Sequence, residues 1–301
     1  MSLIMRLSEV SLLKLSVQGY QILNMSWVAI CLLYNERGIK VEIRRSGIKD
    51  LLMNFNLRRQ LLNLMYGTPL ESISRKLYMF LFQRENFYTD RLTTRVLKKA
   101  LHQTSSCIDI GCYRGEILRH MVQLSPKGRI FAVEPSPYHH DFLEKKFPQV
   151  NFFQVALDNE SGFKTFHFDR NYPARSGLLT EKNAGYQIEE IQVRVEKLDN
   201  LIPEDLKIDF IKIDVEGTEY PVISGGRNLI KRCRPVIIFE HGAGASGMYG
   251  RTSGDLYDLI CEDIGLRLST MDRWLAERSP LGKSSFIDCV KSGKYSDFIA
   301  F

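Results

Sequence analysis

Between residues 105 and 241 one texture repeats: a short, almost wholly apolar run closes on an acidic residue or glycine, and a longer amphipathic stretch follows. Cys107-Ile-Asp-Ile110, Arg129–Glu134, Asn151–Ala156, Ile208–Asp214 and Val236–Glu240 are the runs. They are too short for core helices and apolar on both alternating faces, which predicts buried parallel strands. The helices between them have legible ends: Ser136 can cap and Pro137 can open a helix that Pro148 stops. Strands alternating with helices predict a doubly wound α/β sheet. Two runs of strict alternation, Phe163–Phe168 and Ile188–Val195, predict an antiparallel pair inserted before the Ile208 strand. A helix over Asp255–Ile264 and strands near Leu266–Ser269 and Ser285–Val290 complete the expected sheet.

The first hundred residues have a different period. Ile48, Leu51, Leu52, Phe55 and Leu62 recur near helical spacing, and so do Leu70, Ile73, Leu77, Phe80 and Leu81. Only Ile39–Ile43 alternates like a strand. The expected organisation is a mostly helical extension over residues 1–100 and an α/β domain over residues 101–301. Charge divides the chain at the same place. Of the net +6, residues 1–100 carry 16 Lys and Arg against 7 Asp and Glu, whereas residues 101–301 carry 25 against 28. The pairs Arg44/Arg45, Arg58/Arg59, Arg75/Lys76 and Lys98/Lys99 suit a nucleic acid, an anionic membrane surface, or simply the solvated side of each helix. The last of these is the favoured expectation.

The remaining composition excludes whole classes. With 44% hydrophobic and 25% charged residues the chain is neither disordered nor fibrous. Six scattered cysteines without a Cys-x-x-Cys pair argue for reduced thiols and against a structural zinc site. The longest apolar run, Ile22–Leu33, falls short of the roughly 20 residues that cross a bilayer. No signal-peptide cleavage pattern follows it, so a cytoplasmic protein is expected.

Ligands of doubly wound sheets bind at the carboxyl ends of the strands, near the reversal of strand order. The Cys107 strand runs into Asp109-Ile-Gly111-Cys112-Tyr-Arg-Gly115, a turn with glycine at two points of close approach. Glu134 closes the next strand about twenty residues later, where a carboxylate can hold a ribose diol. Six blocks then occur in order: Ile108–Gly115, Ala132–Pro137, Val155–Asp158, Glu196–Asp199, Lys212-Ile-Asp-Val-Glu-Gly217 and Arg234–Glu240. Together they resemble the FkbM family of S-adenosylmethionine-dependent methyltransferases over about residues 105–241.

The resemblance implies a class I Rossmann-like methyltransferase sheet with S-adenosylmethionine as cofactor. It assigns Asp109 and Gly111 to the methionine end, Glu134 to the ribose hydroxyls, and the turn of Ala156, Leu157 and Asp158 to the adenine. Cys112, Gly115, Pro135 and Ser136 are counted with them as cofactor-binding. The family usually has Ala-Asn where this chain has Cys112-Tyr113. Candidate catalytic groups are Asp214 and Glu216 after one strand and Glu240 and His241 after the next. Asp214 is expected to organise the cofactor–acceptor junction, with His241 or Glu240 as general base, and no metal is expected. Enzymes that methylate base amines tend to carry Asn/Asp-Pro-Pro-aromatic at the place of Asp214-Val-Glu-Gly217, so transfer to oxygen is favoured. The expected acceptor is a hydroxyl of a saccharide, glycan or related small molecule.

Other readings stay open: an RNA methyltransferase, or a non-catalytic binding protein that keeps the fold and uses its basic helices. Nucleic acid is the less favoured partner, peripheral membrane contact is compatible with the charge, and the N-terminal helices offer a route to a homodimer. Gly242-Ala-Gly244-Ala-Ser-Gly247 matches a dinucleotide fingerprint by letter, but no helix pattern opens at its last glycine. Residues 242–254 therefore read as a loop over the acceptor pocket, with Met248, Tyr249 and Arg251 as candidate substrate contacts.

Overall fold

The computed structural model describes residues 14–17, 20–23, 84–170, 173–178, 187–242 and 250–301. The chain divides into two compact units, residues 1–89 and 90–301. In the first, β1 (Lys14–Val17) and β2 (Tyr20–Leu23) form an antiparallel hairpin. The expectation of a mostly helical segment with a single strand at Ile39–Ile43 did not include this hairpin. Ile39–Ile43 and the helical patterns at 48–62 and 70–81 lie outside the described residues.

Helix α1 (Arg84–Ala100) leads into the second unit, where Leu92, Val96 and Leu97 are buried at helical spacing. There follow β3 (Cys107–Ile110), α2 (Glu116–Leu124), β4 (Ile130–Val133), α3 (Pro137–Lys146) and β5 (Asn151–Phe153). An insertion of β6 (Ala156–Leu157), β7 (Gly162–Asp169) and β8 (Ile188–Glu196) comes next, then α4 (Leu198–Leu201), β9 (Phe210–Ile213), α5 (Glu219–Gly225), α6 (Arg227–Cys233) and β10 (Val236–Glu240). The last part holds α7 (Ser253–Tyr257), a π turn over Asp258–Asp263, β11 (Leu268–Thr270), α8 (Met271–Leu275), α9 (Lys283–Lys291) and β12 (Asp297–Ala300).

Seven strands form the central sheet in the order β11-β12-β10-β9-β3-β4-β5. From β10 to β5 all neighbours are parallel, and β12 runs antiparallel to both β10 and β11. The order reverses at β3, which sits between β9 and β4, so the doubly wound expectation holds and the switch point lies at the β3 turn. The predicted insertion is also present: β7 and β8 pair antiparallel from Gly162↔Val195 to Asp169↔Ile188.

Two parts differ from expectation. Ser285–Val290 is not a strand; it lies inside α9, where Phe286 and Val290 are buried four residues apart on one helix face. The strand that completes the sheet is Asp297–Ala300. Ser136 precedes α3 as expected, but its hydroxyl caps nothing; its backbone N–H instead donates to Glu134 Oε1 at 3.0 Å.

Strand alternation sorts the core onto two faces. Ile108, Ile110, Ile211, Ile213, Ile237, Phe239 and Phe298 face one side, with α5, α6, α7 and α9. Cys107, Ile130, Ala132, Phe210, Ile238 and Ile299 face the other, with α1, α2, α3 and α8. Continuing the second set by steps of two reaches Asp109, Glu134, Lys212, Asp214, Glu240 and Asp297. The carboxyl edge of that one face is therefore polar and charged.

Candidate active site

The turn after β3 is built by close backbone approach. Gly111 has φ +75°, and a Cβ there would lie 1.8 Å from the carbonyl oxygen of Asp214. Only glycine lets the β3 and β9 ends converge while Asp214 N–H donates to Ile110 O at 3.0 Å. A Cβ on Gly115 would meet the Phe147 ring at 2.5 Å, so that glycine is set by core packing. Cys112 is buried in the core. Tyr113 takes a left-handed φ of 46°, uncommon for a non-glycine residue, and its N–H donates to Glu134 Oε2 at 2.9 Å. Its ring meets His139 edge-on, with centroids 4.8 Å apart.

Glu134 is thus fixed from both sides by backbone N–H groups, one on each oxygen, and each oxygen keeps a lone pair for a further donor. Asp109 is 2% exposed, and its Oδ2 has no hydrogen-bond partner among the described residues. Burial pushes its carboxyl up to about 7 despite Lys212. Such a group awaits a donor or cation. Pro135 follows Glu134 at the head of α3. Ala156 and Leu157 are buried in β6, which pairs with β8 rather than extending β5. The Asp158 carboxylate is engaged by Lys164 Nζ at 2.5 Å and by Asn159 N–H at 2.6 Å, so it braces the insertion.

At the neighbouring strand ends, Asp214 and Glu216 follow β9 and Glu240 ends β10. Each offers an oxygen within 4.8 Å of the other two. Such a trio has the spacing to hold a cation, and the chain supplies one itself. Lys212 Nζ, on a side chain 6% exposed, lies 3.3 Å from Asp214 Oδ2 and 3.3 Å from Asp297 Oδ1. Burial opposes its charge, but Asp214, Asp297 and Glu240 raise its pKa overall.

The carboxyls divide accordingly. Although burial works against it, Lys212 and a hydrogen bond from Glu240 hold Asp214 below the usual carboxylate range. Burial, the Asp214 charge and the hydrogen bond to it push Glu240 up to about 10, so Glu240 is the protonated partner that donates to Asp214. Burial, then Asp214 and Glu219, push Glu216 up to about 7 against Arg175 and Lys212. Glu216 also has a left-handed φ of 54°. Its turn is pinned by Gly217 N–H donating to Glu219 Oε1 at 3.1 Å and by Thr218 Oγ1 donating to Val215 O at 3.2 Å.

His241 is not brought to this cluster. One residue beyond Glu240, it lies on the opposite face, buried, with Nε2 2.9 Å from Ser253 Oγ and its ring stacked on Phe286 at 5.9 Å. Burial lowers its pKa to about 4, which keeps the imidazole neutral. Arg251 lies over the Tyr220 ring at 5.1 Å. Met248 and Tyr249 fall outside the described residues.

Sequence reasoning did not find Glu219 as the brace of the Glu216 turn, nor Asp297 at all. Glu219 could have been found, since it stands two residues beyond the Lys-Ile-Asp-Val-Glu-Gly block. Asp297 had no local signal.

A parallel sheet reversing at a glycine turn, with carboxyl groups at the ends of four adjacent strands, has the doubly wound, Rossmann-like architecture that binds ligands at that edge. Residues 109–267 match the family described as Methyltransferase FkbM domain, and the chain belongs to that family. The 2-O-methyltransferase NoeI of Sinorhizobium fredii is 28% identical over 144 residues, 42% of this chain. The match spans 59% of that relative's length. A methyltransferase FkbM from Methylobacillus flagellatus shares 15% identity at a TM-score of 0.41, covering 84% of this chain and 60% of that one. The plantazolicin methyltransferase BpumL, in complex with a pentazolic desmethylPZN analog and SAH, shares 13% identity at a TM-score of 0.41, covering 85% and 97%. The fold assignment rests on strand order and register, not on these distant likenesses. The cofactor that membership implies is S-adenosylmethionine, and the residues fit it: Glu134 has lone pairs for a diol, and Asp109 has a buried oxygen, without a partner among the described residues, for the amino-acid end.

Proposed function

We propose that residues 101–301 catalyse S-adenosylmethionine-dependent methylation of a hydroxyl group on a saccharide or related small molecule. The cofactor would supply an electrophilic methyl group, with Glu134 and Asp109 holding its ribose and amino-acid ends. The chain's own task is then to align the acceptor oxygen and remove its proton. The observation that carries this reading is the row of three carboxyls with separated proton affinities at the same sheet edge as Asp109 and Glu134. Asp214, held ionised, accepts a hydrogen bond from an acceptor hydroxyl. Glu216, tuned to about 7, takes the proton, because a base works best with a pKa near the working pH. Glu240 stays neutral behind Asp214. The neutral imidazole of His241, turned to the other face, has a packing role.

Oxygen as the accepting atom is supported by the Asp214-Val-Glu-Gly217 block and by the 2-O-methyltransferase relative. Calorimetry with S-adenosylhomocysteine tests the cofactor. Transfer of labelled methyl from S-adenosylmethionine to a panel of oligosaccharides, with total RNA alongside, tests the acceptor. Label appearing in RNA alone would overturn the saccharide assignment, and absent S-adenosylhomocysteine binding would overturn the methyltransferase reading.

A further inference from the structure

Asp297 lies 30 residues beyond the family match, on the strand that runs against its neighbours. That reversed direction is what brings it to the site. A parallel strand would start at the far edge of the sheet, whereas β12, antiparallel to β10, starts at the carboxyl edge and sets Asp297 opposite Glu240. The register is held by His241 N–H donating to Ser296 O at 2.7 Å. The carboxylate itself is gripped twice: Ser296 Oγ donates to Oδ2 at 2.8 Å, and Lys212 Nζ donates to Oδ1 at 3.3 Å. Lys212 spends its other protons on Asp214 Oδ2 at 3.3 Å and Ile213 O at 3.4 Å. The ammonium is therefore strung between a strand of the family motif and a strand outside it.

We propose that Asp297 is a positioning residue for methyl transfer: acting through Lys212, it keeps Asp214 presented as a carboxylate and Glu240 as the neutral partner that donates to it. The role rests on the methyltransferase reading of this edge. Glu240 faces Asp214 and Glu216 from the β9 end, Lys212 from β9 and Asp297 from β12. Asp109 on β3 faces Lys212, and Arg175 acts on Glu216. Among the described residues Lys212 and Arg175 face five carboxyls, Asp109, Asp214, Glu216, Glu240 and Asp297, and that excess favours a retained proton among them. Asp297 adds negative charge beside Glu240, which retains the proton there, and it helps keep the buried Lys212 ammonium charged 3.3 Å from Asp214, which keeps Asp214 ionised.

The test is carbon NMR titration of the side-chain carboxyls in the full chain, with the Glu240 resonance assigned by its loss in Glu240→Gln. In Asp297→Asn the Glu240 midpoint falls by about one pH unit or more, a tenfold weaker hold on the proton. In Lys212→Met it rises, and in the double variant, which removes one charge of each sign, it returns toward the native midpoint. The double variant is the decisive sample if Lys212→Met does not fold. A merely structural Asp297 would lower the melting temperature and leave the midpoint in place, and an unmoved or raised midpoint in Asp297→Asn overturns the proposal. Calorimetry of the native chain with S-adenosylhomocysteine separates the two levels. No binding removes the methyltransferase reading and the positioning role with it, whereas binding with an unmoved midpoint removes the positioning role alone.

Discussion

Gly111→Ala is the substitution through which the site's construction is most directly measured. The φ of +75° places an added methyl in the left-handed region, which costs about 1–2 kcal/mol for an L-residue. The methyl would also lie 1.8 Å from Asp214 O. Reaching an ordinary contact requires the β3 and β9 ends to part by roughly 1.5 Å, and overpacking of that kind costs about 1–3 kcal/mol. The sum is about 2–5 kcal/mol. Gly293, at φ +64° with no heavy atom of the described residues within 4 Å of its ideal Cβ, isolates the conformational part, so Gly293→Ala should cost about 1 kcal/mol. Gly242→Ala, with no described atom that near and no left-handed φ, should stay within about 0.5 kcal/mol. Urea denaturation of the three variants at pH 7 and constant m-value gives the comparison. Calorimetry should show weaker S-adenosylhomocysteine binding for Gly111→Ala alone. If Gly111→Ala costs no more than Gly293→Ala, backbone convergence does not build the turn and the reasoning is wrong.

Three further outcomes follow from the same geometry. Glu216→Gln should lower turnover by about 10²–10⁴ while S-adenosylhomocysteine affinity stays within about twofold, and the native rate should rise with pH through about 7 as Glu216 ionises; a native rate flat from pH 5 to 9 would contradict this. Glu134→Ala strips the acceptor from Tyr113 N–H and Ser136 N–H, so it should cost about 2 kcal/mol in urea and reduce cofactor affinity at least tenfold. For His241 the folded value of about 4 lies below the unfolded 6.5 or so, so the unfolded chain takes up the proton first. Stability should fall by about 3 kcal/mol as pH drops from about 6.5 to about 4. His241→Asn should flatten that slope and keep turnover, and a folded but inactive His241→Asn would return the base role to the imidazole.

The central strands were legible because each is buried on both faces and so reads as an unbroken apolar run between polar ends. Ser285–Val290 was misread for the converse reason: six residues with apolar positions at Phe286, Ile287 and Val290 satisfy strand and helix alike, and only the burial of Phe286 with Val290 decides. The turn after β3 was legible as a block, but the reason for its glycine was not, since the atom that Gly111 must admit belongs to a residue 103 positions later. Asp297 was invisible on similar grounds, its partner Lys212 lying 85 residues away. His241 is a different failure. Its adjacency to Glu240 in sequence suggested a shared site, yet side chains alternate across a strand, and neighbours at a strand end point to opposite faces.

That alternation is also why the chemistry and the stability of this unit can be changed separately. Along β9 the residues Phe210, Lys212 and Asp214 share one face, moving from core to charge within five positions, while Ile211 and Ile213 remain wholly apolar on the other. Along β10 the step from Ile238 to Glu240 does the same, with Ile237, Phe239 and His241 opposite. A substitution at Ile213 or Phe239 removes packing from the face opposite Asp214 and Glu240, so its cost should appear in urea and leave the pH profile where it is. A substitution at Lys212 or Asp297 alters a balance of charges that only the other face contains, and its signature is a displaced proton before it is a lost fold. The methyl-transfer proposal needs that separation, because Asp214 and Glu216 must differ in proton affinity although two residues apart. Lys212 and the left-handed turn at Glu216 provide the difference, one by supplying positive charge at Asp214 and the other by holding the second carboxyl where burial outweighs that charge.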